Sequence, residues 1–408
     1  MNNFVKNLGI TAFSALTPLL FFKLLVNIVA KEDVLAAYFQ VKAVSTIVFY
    51  LLSLKFSDVI YFLKSKSDNS LEQLSGIHFA FALLGFVLAF CFSFTSYFLL
   101  PGLFPFISSL FLFISLEIIE SKVTLLRLFN QYRGMYLIKS TLLFKPLFFW
   151  LFFKYYNVFG DVELKDIYLF EICFVYFLIF IFLARYFKLM DKFFYNIRYL
   201  VANKDVLKST WFANIAKISY DSLPNFLLSL YASNGLYVEY NIARKIYGII
   251  VTGQTSFIQV FNTLSIDFKN KFKNYLYRFY RIMIPANLFG LLIVFLFGDF
   301  FISILSHSKY ANSDTFIFLI IMVMLSIVYL LLYPIRQWII LNGYLSYLTK
   351  SIVLSTLVIC SVLPLIPFFG GYLVSVVQPF GQILPIIILV FILPNSLRKR
   401  LKMNMSWK

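Results

Sequence analysis

Charged residues are scarce in this chain: only 13% of its 408 residues are Asp, Glu, Lys or Arg. Soluble globular domains carry about a quarter charged residues, so this deficit excludes an ordinary water-soluble protein. Hydrophobic residues make up 61% of the chain, and Phe alone contributes 52. Windows of about 20 apolar residues, long enough to cross about 30 Å of hydrocarbon, recur along the whole length. The composition therefore predicts a polytopic membrane protein.

Residues and motifs that support catalysis or metal binding are also few. There are two histidines, His78 and His307, and the GxSxG, HExxH, CxxC and Gly-rich phosphate-loop motifs are missing. The three cysteines, Cys91, Cys173 and Cys360, lie far apart in apolar stretches. We expect them to be small buried hydrophobic side chains rather than a disulfide or a metal site. We therefore expect no catalytic residues, no metal and no cofactor.

Twelve apolar stretches are candidate membrane-spanning helices. Their approximate ranges are 7–29, 35–61, 77–99, 103–124, 136–153, 167–187, 211–232, 237–263, 282–303, 315–333, 351–369 and 373–394. These stretches divide the chain into a first six-helix bundle (1–187), a basic cytoplasmic linker (188–209) and a second six-helix bundle with a short basic tail (210–408). We expect an all-α polytopic membrane protein with about 12 transmembrane helices in two pseudo-symmetric six-helix bundles.

Positive charge is unevenly distributed over the segments between these stretches, although the net charge is +18. Most Lys and Arg residues outside the spans lie in alternate segments, and the intervening segments hold only Lys31, Lys42, Lys154, Lys165 and Lys309. This positive-inside bias places both termini in the cytoplasm and argues against nucleic acid as a partner. The dense basic run of the linker is expected to be a solvated segment near anionic lipid headgroups.

A short pattern occurs once in each half of the chain. Tyr38 is followed four residues later by Lys42, and Tyr240 is followed four residues later by Arg244. Both pairs come just after a short outer turn, and they are separated by about half the chain. An even number of helices in each half predicts parallel repeats related by an axis along the membrane normal.

Several spans contain polar or charged residues that lipid does not accept, so these residues are expected to face a wet cavity. Lys23 lies near the middle of the first span, too deep to reach the headgroups easily. Two helical stripes lie on either side of the turn Ser233-Asn234-Gly235, and they are predicted to line one cavity. The stripe before the turn is Asn214, Lys217, Asp221, Asn225 and Ser229, and the stripe after it is Asn241, Lys245, Gly248, Thr252 and Thr255.

The acidic residues in the spans leave alternatives open. Glu117 and Glu120 lie on nearly one helix face, either as a structural pairing with Lys122 or a neighbouring helix, or as a proton or cation site. Lys217 and Asp221, four residues apart, can simply neutralise each other.

The residues Tyr240–Ile246 (YNIARKI) and the preceding Asn234-Gly235 resemble the corresponding helix start of a known family. This family comprises the Wzx-type flippases of the multidrug/oligosaccharidyl-lipid/polysaccharide (MOP) exporter superfamily. The segment from Val29-Ala30-Lys31 to Ala37-Tyr38 is similar to the family's connection between its first two helices, with Lys31 where the family usually has Arg. The resemblance implies two bundles that open alternately to each side of the membrane, with a cationic central cavity.

The resemblance also implies a cargo, a location and roles for individual residues. The cargo is an undecaprenyl-diphosphate-linked oligosaccharide, such as an O-antigen repeat unit, moved across the bacterial inner membrane from the cytoplasmic to the periplasmic leaflet. Lys23, Arg244 and Lys245 are expected to contact the diphosphate, with Lys217 behind them. Asp221, helped by Glu117 or Glu120, is expected to couple transport to Na⁺ or H⁺. A polysaccharide polymerase is a possible partner.

Two other classes of function stay open. One is a polysaccharide polymerase or ligase, an enzyme of similar size and hydropathy, against which the lack of a large outer loop argues. The other is an ion-coupled antiporter similar to the multidrug exporters of the same superfamily. An antiporter for cationic drugs is expected to have an acidic cavity, whereas cations outnumber isolated acids in the middle of these spans.

Overall fold

The computed structural model describes most of the chain between residues 17 and 405. The residues outside the description are 1–16, 19, 30, 53–55, 57–58, 61–62, 64–70, 130, 157–161, 186–192, 203, 205–206, 208–210, 212–214, 217, 268–271, 307–309, 311, 343 and 406–408. Helices account for 94% of the structure, and no strand occurs among the described residues. Within the described ranges, seven stretches are long and apolar enough to cross a membrane. The prediction of an all-α polytopic membrane protein is confirmed at this level.

The described residues contain thirteen α-helices with defined bounds. In chain order they are α1 (Glu32–Leu52), α2 (Leu71–Leu99), α3 (Phe104–Leu128), α4 (Tyr132–Tyr156), α5 (Leu164–Arg185), α6 (Phe193–Ala202), α7 (Leu223–Tyr231), α8 (Asn234–Asp267), α9 (Phe272–Leu305), α10 (Ser313–Leu341), α11 (Leu345–Val362), α12 (Ile366–Ile392) and α13 (Asn395–Met405). Residues 20–28 of the first predicted span are also helical. The rest of that span is largely outside the described residues.

The chain forms two compact units. The central unit is Asp33–Ile218, and the flanking unit is Met1–Glu32 together with Ser219–Lys408. In the central unit, α3 packs against α2, α4 and α5. In the flanking unit, α10 packs against α8, α9 and α12, and α12 also packs against α7 and α11. The predicted bundle boundaries, at 187 and 210, stay a prediction.

The most apolar stretch, Tyr347–Ile392, is 46 residues long and contains two helices rather than one. Gly370, the fifth residue of the range given for α12, interrupts the stretch. Its φ of 53° and ψ of −136° form a backbone conformation that residues with a Cβ rarely adopt. Because the chain turns here, α11 packs against α12. The sequence predicts two spans in this region, 351–369 and 373–394, and Gly370 lies at the break between them.

Large apolar side chains cover the outside of the helices. Examples are Phe98, Phe295 and Phe391, which are 63%, 64% and 70% exposed. Such surfaces suit acyl chains, which are as apolar as the side chains themselves. Cys91, Cys173 and Cys360 are exposed as well. The expectation that the cysteines are buried is therefore wrong: a thiol is apolar enough to face lipid as well as core.

The predicted helix over 211–232 is not regular. Residues Ile218–Ser222 form a π-helical turn, and α7 starts directly after it. Pro224 explains the irregularity, because its ring would clash with the carbonyl of Tyr220 in a regular α-helix and it has no N–H to donate. The wider turn avoids this clash and places Asp221 where the helix is distorted. Single π-helical turns are often found at functional sites.

Candidate charged sites within the apolar helices

The first site lies in the central unit and is built around Glu171 of α5. This side chain is 1% exposed. Its Oε1 lies 2.6 Å from Nζ of Lys145, and its Oε2 lies 3.4 Å from Nζ of Lys42. Two cations from two other helices, α4 and α1, therefore meet one buried carboxylate. We call Lys42, Lys145 and Glu171 the central cluster.

Two tyrosines complete the central cluster. The hydroxyl of Tyr38 donates to Oε2 of Glu171 at 3.3 Å, and Lys42 donates to the same hydroxyl. The Lys42 ammonium also lies 4.2 Å from the centre of the Tyr38 ring, within the range of a cation–π interaction. Tyr168 donates to the Tyr38 main-chain carbonyl at 3.1 Å and so holds α1 against α5. The carboxylate is thereby bound by three side-chain donors.

The depth of the central cluster follows from helix geometry. Lys42 is the eleventh residue of α1, about 15 Å from its start, and Lys145 is about 20 Å along α4 at a rise of 1.5 Å per residue. Both positions are near the middle of a candidate span. The expectation that Lys42 lies in a segment between spans is therefore wrong. The lysine side chains remain 19% and 13% exposed, whereas Glu171 lies behind them. The ammonium groups therefore form the accessible side of the cluster.

The second site lies in the flanking unit and is built around Asp221 in the π-helical turn. Nη2 of Arg244 lies 2.7 Å from Oδ1 of Asp221 and also donates to the Asp221 main-chain carbonyl at 3.3 Å. Gln378 of α12 donates to the same Oδ1 at 2.9 Å, and Tyr240 donates to Oε1 of Gln378 at 2.9 Å. We call Asp221, Arg244, Gln378 and Tyr240 the flanking cluster.

The flanking cluster joins three helical segments through polar side chains. Tyr240 is fully buried and Gln378 is 8% exposed, whereas the side chains of Asp221 and Arg244 are about one-quarter exposed. Asn225 on α7 and Asn241 on α8 are buried nearby along the same helix faces. The ion pair is therefore the accessible part of a buried polar network. The four side chains of the flanking cluster satisfy one another, which stabilises such a network within an apolar unit.

The pattern that the sequence shows twice now has a structural meaning. In both units a Tyr and the cation four residues later meet one carboxylate from another segment of the same unit. Tyr38 reaches Glu171 directly, whereas Tyr240 reaches Asp221 through Gln378. Each unit therefore brings together a tyrosine, a cation and an acid, although the acid comes from a different place in each unit.

The structure brings two of the predicted site residues into contact and shows different environments for the others. Asp221 and Arg244 are brought together, although they were predicted for different roles. Lys245 is exposed, and Lys23 is half-buried with no ion pair to any residue in the described part of the chain. Lys217 lies outside the described residues, so its predicted pairing with Asp221 is not visible. Among the described residues, the cation paired with Asp221 is Arg244, whose Nη2 lies 2.7 Å from Oδ1 of Asp221.

The predicted acidic pair on α3 is resolved into two different environments. Glu120 pairs with Lys139 of α4 at 2.8 Å, and the Glu120 side chain is 45% exposed. Lys122 is 5% exposed, and Glu117 is half-buried. Of the alternatives left open, pairing with a neighbouring helix applies to Glu120. The role of Glu117 and Glu120 in ion coupling stays a prediction.

Sequence reasoning did not single out Glu171 or Gln378. Glu171 is the one carboxylate within the apolar run from Tyr168 to Ile181, which is a signal that was available. A lone carboxylate in such a run needs a cationic partner, and Lys145 in the middle of the neighbouring span is that partner. Gln378 carries no charge, and its role depends on the packing of α12.

Comparison of the chain with known protein families, with curated proteins and with solved structures finds no match. The family resemblance of Tyr240–Ile246 is therefore a prediction from those residues alone. For the residues that it describes, the structure establishes a helical protein with seven candidate membrane spans and charged clusters among its apolar helices.

Proposed function

We propose that this protein is a flippase that moves an undecaprenyl-diphosphate-linked oligosaccharide, such as an O-antigen repeat unit, across the bacterial inner membrane. The cargo passes from the cytoplasmic to the periplasmic leaflet by alternating access, coupled to Na⁺ or H⁺. The observation that supports this proposal best is the placement of Lys42, Lys145 and Arg244 along apolar helices, with their charged ends partly accessible. A charge at this depth costs at least a few kcal/mol, so it indicates a function.

The chemistry of the cargo fits these cations. A diphosphate cannot enter hydrocarbon unaided because its charge is strongly hydrated. Lys and Arg bind phosphate oxygens with charge-assisted hydrogen bonds, and Arg does so with two parallel donors. The predicted contacts Lys23 and Lys245 remain part of the proposal, and Lys42 and Lys145 join them. The sugar portion needs only a wet path, since its hydroxyl groups carry no charge.

The carboxylates of the two clusters limit how tightly the cargo is held. Glu171 and Asp221 already occupy the cations, so a phosphate gains a cation only by weakening an existing ion pair. The net gain from binding is therefore smaller than that of an ammonium alone with phosphate. Transport requires such moderate binding, because a site that holds its cargo strongly does not release it on the other side.

Ion coupling is assigned to Asp221. Its side chain is about one-quarter exposed and lies at a helix distortion, so a small cation can reach it. A proton or Na⁺ on Asp221 would loosen its hold on Arg244, which connects ion binding to the state of a cargo-binding residue. Asp221→Asn is expected to abolish transport while the protein is still inserted at the normal level. Transport at the normal rate in this variant would rule out the coupling role.

The first experiment is deletion of the gene in the bacterium that carries it, followed by gel analysis of its lipopolysaccharide and fractionation of lipid-linked saccharides. Loss of all surface repeats, with repeat units trapped on the cytoplasmic side, supports the flippase. A single repeat on each core shows that flipping continues without polymerisation, which favours the polymerase or ligase. A normal ladder in a strain without other flippase genes favours the antiporter.

A further inference from the structure

Helix α6 lies in the segment predicted to be a solvated linker, yet large apolar side chains lie on its exposed side. On its outer side, Phe194, Tyr195 and Val201 are 77%, 61% and 63% exposed. On its inner side, Asn196 is 2% exposed. A helix between protein and water places its apolar residues inward and its polar residues outward. The environment of the outer face of α6 is therefore not bulk water.

The inner face fixes α6 against α2. A Cβ on Gly76 would lie 2.6 Å from Nδ2 of Asn196, so the amide packs directly on the α2 backbone at a place where a side chain would interfere. Tyr199, one turn further on, packs against the apolar cluster that includes Leu74 and Ile77. Two successive turns of α6 therefore contact the first turns of α2, and the orientation of α6 is fixed by these contacts.

The position of Gly76 along α2 gives the depth of α6. The 29 residues of α2 are about 43 Å long at 1.5 Å per residue, and the hydrocarbon layer is about 30 Å thick. An α2 that is centred on the hydrocarbon and perpendicular to it extends about 6 Å beyond it at each end. Gly76 is the sixth residue of α2, about 7 Å from its start. Helix α6 thus lies at the boundary between headgroups and acyl chains.

Charge completes the description of the outer side. Arg198 lies on it between Tyr195 and Val201, and Lys204 is exposed shortly after the helix ends. Aromatic rings beside Arg or Lys are the side chains found where protein meets the membrane interface, with the ring in the boundary and the cation at the headgroups. Cations at this position attract anionic lipid headgroups electrostatically.

We infer that α6 is an interfacial helix that lies in the membrane surface, with Phe194, Tyr195 and Val201 inserted among the lipids and Arg198 bound to anionic headgroups. The positive-inside bias assigns it to the cytoplasmic leaflet. This inference is independent of the transport function, because it rests on the faces and the depth of α6 alone. It replaces the solvated linker predicted for this part of residues 188–209.

Spin labels at single cysteines test the insertion. The background is the full-length protein with Cys91, Cys173 and Cys360 replaced by Ala, reconstituted in vesicles of three parts phosphatidylcholine to one part phosphatidylglycerol. Labels replace Phe194 and Val201, and a label at Lys204 is the matched control from the same segment. Collisions with oxygen report acyl surroundings, and collisions with a water-soluble nickel chelate report water.

Insertion predicts that oxygen collisions exceed nickel collisions at 194 and 201, and that the order is reversed at 204. Nickel collisions at 194 and 201 as frequent as at 204 would restore the solvated linker and overturn the inference. Labels at 194 and 201 that are shielded from both reagents would also overturn it, because another protein segment would then cover the face.

The lipid charge is tested in the same system. Raising phosphatidylglycerol from none to one-third is expected to increase the oxygen-to-nickel ratio at 201 severalfold, and Arg198→Gln is expected to remove most of this increase. A ratio at 201 that does not change with phosphatidylglycerol would refute the binding of anionic headgroups.

Discussion

The replacement Glu171→Gln removes one charge from the central cluster and leaves its shape unchanged. The amide of Gln still accepts a hydrogen bond, but it no longer neutralises the two ammonium groups. In the structure these groups lie 2.6 Å (Lys145) and 3.4 Å (Lys42) from the Glu171 oxygens. After the replacement both cations are left among apolar helices without this counter-charge, so the folded state loses stability.

The size of the effect follows from burial. Removing one partner of a buried ion pair typically costs about 3–5 kcal/mol, because the other charge remains buried. Water reaches the lysines in part, since they are 19% and 13% exposed, so we expect about 3 kcal/mol at the lower end of this range. The matched control is Glu163→Gln, whose carboxylate is 62% exposed and pairs with Lys165, itself 57% exposed, at 3.0 Å. Exposed pairs contribute about 0–1 kcal/mol, so this control is expected to change little.

The assay is reversible unfolding in mixed micelles of a mild detergent and SDS, followed by Trp fluorescence and circular dichroism. A second variant separates charge from shape: adding Lys145→Met to Glu171→Gln removes one of the two cations and is expected to recover part of the lost free energy. If Glu171→Gln costs no more than Glu163→Gln, or if Lys145→Met makes it worse, the reasoning about buried charge is refuted.

The remaining predictions concern backbone and close packing in the flanking unit. Gly370→Ala should cost about 1–3 kcal/mol, because the φ of 53° is strained for any residue with a Cβ. Gly381→Ala should cost about 1–3 kcal/mol by a different mechanism, since its Cβ would overlap Cβ and Cγ of Tyr220 and push α12 away from the π-helical turn. Both are measured in the same micelle assay. The control is Gly290→Ala on α9, whose Cβ meets no atom within 4 Å, and unchanged stability in either test variant relative to this control would contradict the prediction.

The membrane class of the protein was predictable because it depends on composition and not on packing. An apolar helix satisfies its own backbone hydrogen bonds, so a run of about 20 apolar residues is stable in lipid whatever surrounds it. The break at Gly370 and the turn before Asn234 are likewise local features, and both appear where the sequence predicts a change of span. The spacing of Tyr38 and Lys42, and of Tyr240 and Arg244, is also visible in the sequence because one helical turn joins each pair.

The partners of those cations were decided by the tertiary structure. Lys42 and Glu171 are 129 residues apart, and their contact depends on how α1 packs against α5. Asp221 pairs with Arg244 because the π-helical turn places its side chain beside α8. The pairing of Asp221 with Lys217 that helical spacing favours stays a prediction. The orientation of α6 could not be predicted from the sequence either. The packing of α6 against α2 is what buries Asn196 and leaves Phe194 exposed. Charge and hydropathy thus determine that the chain forms membrane-spanning helices, whereas three-dimensional packing determines which charged side chains contact one another.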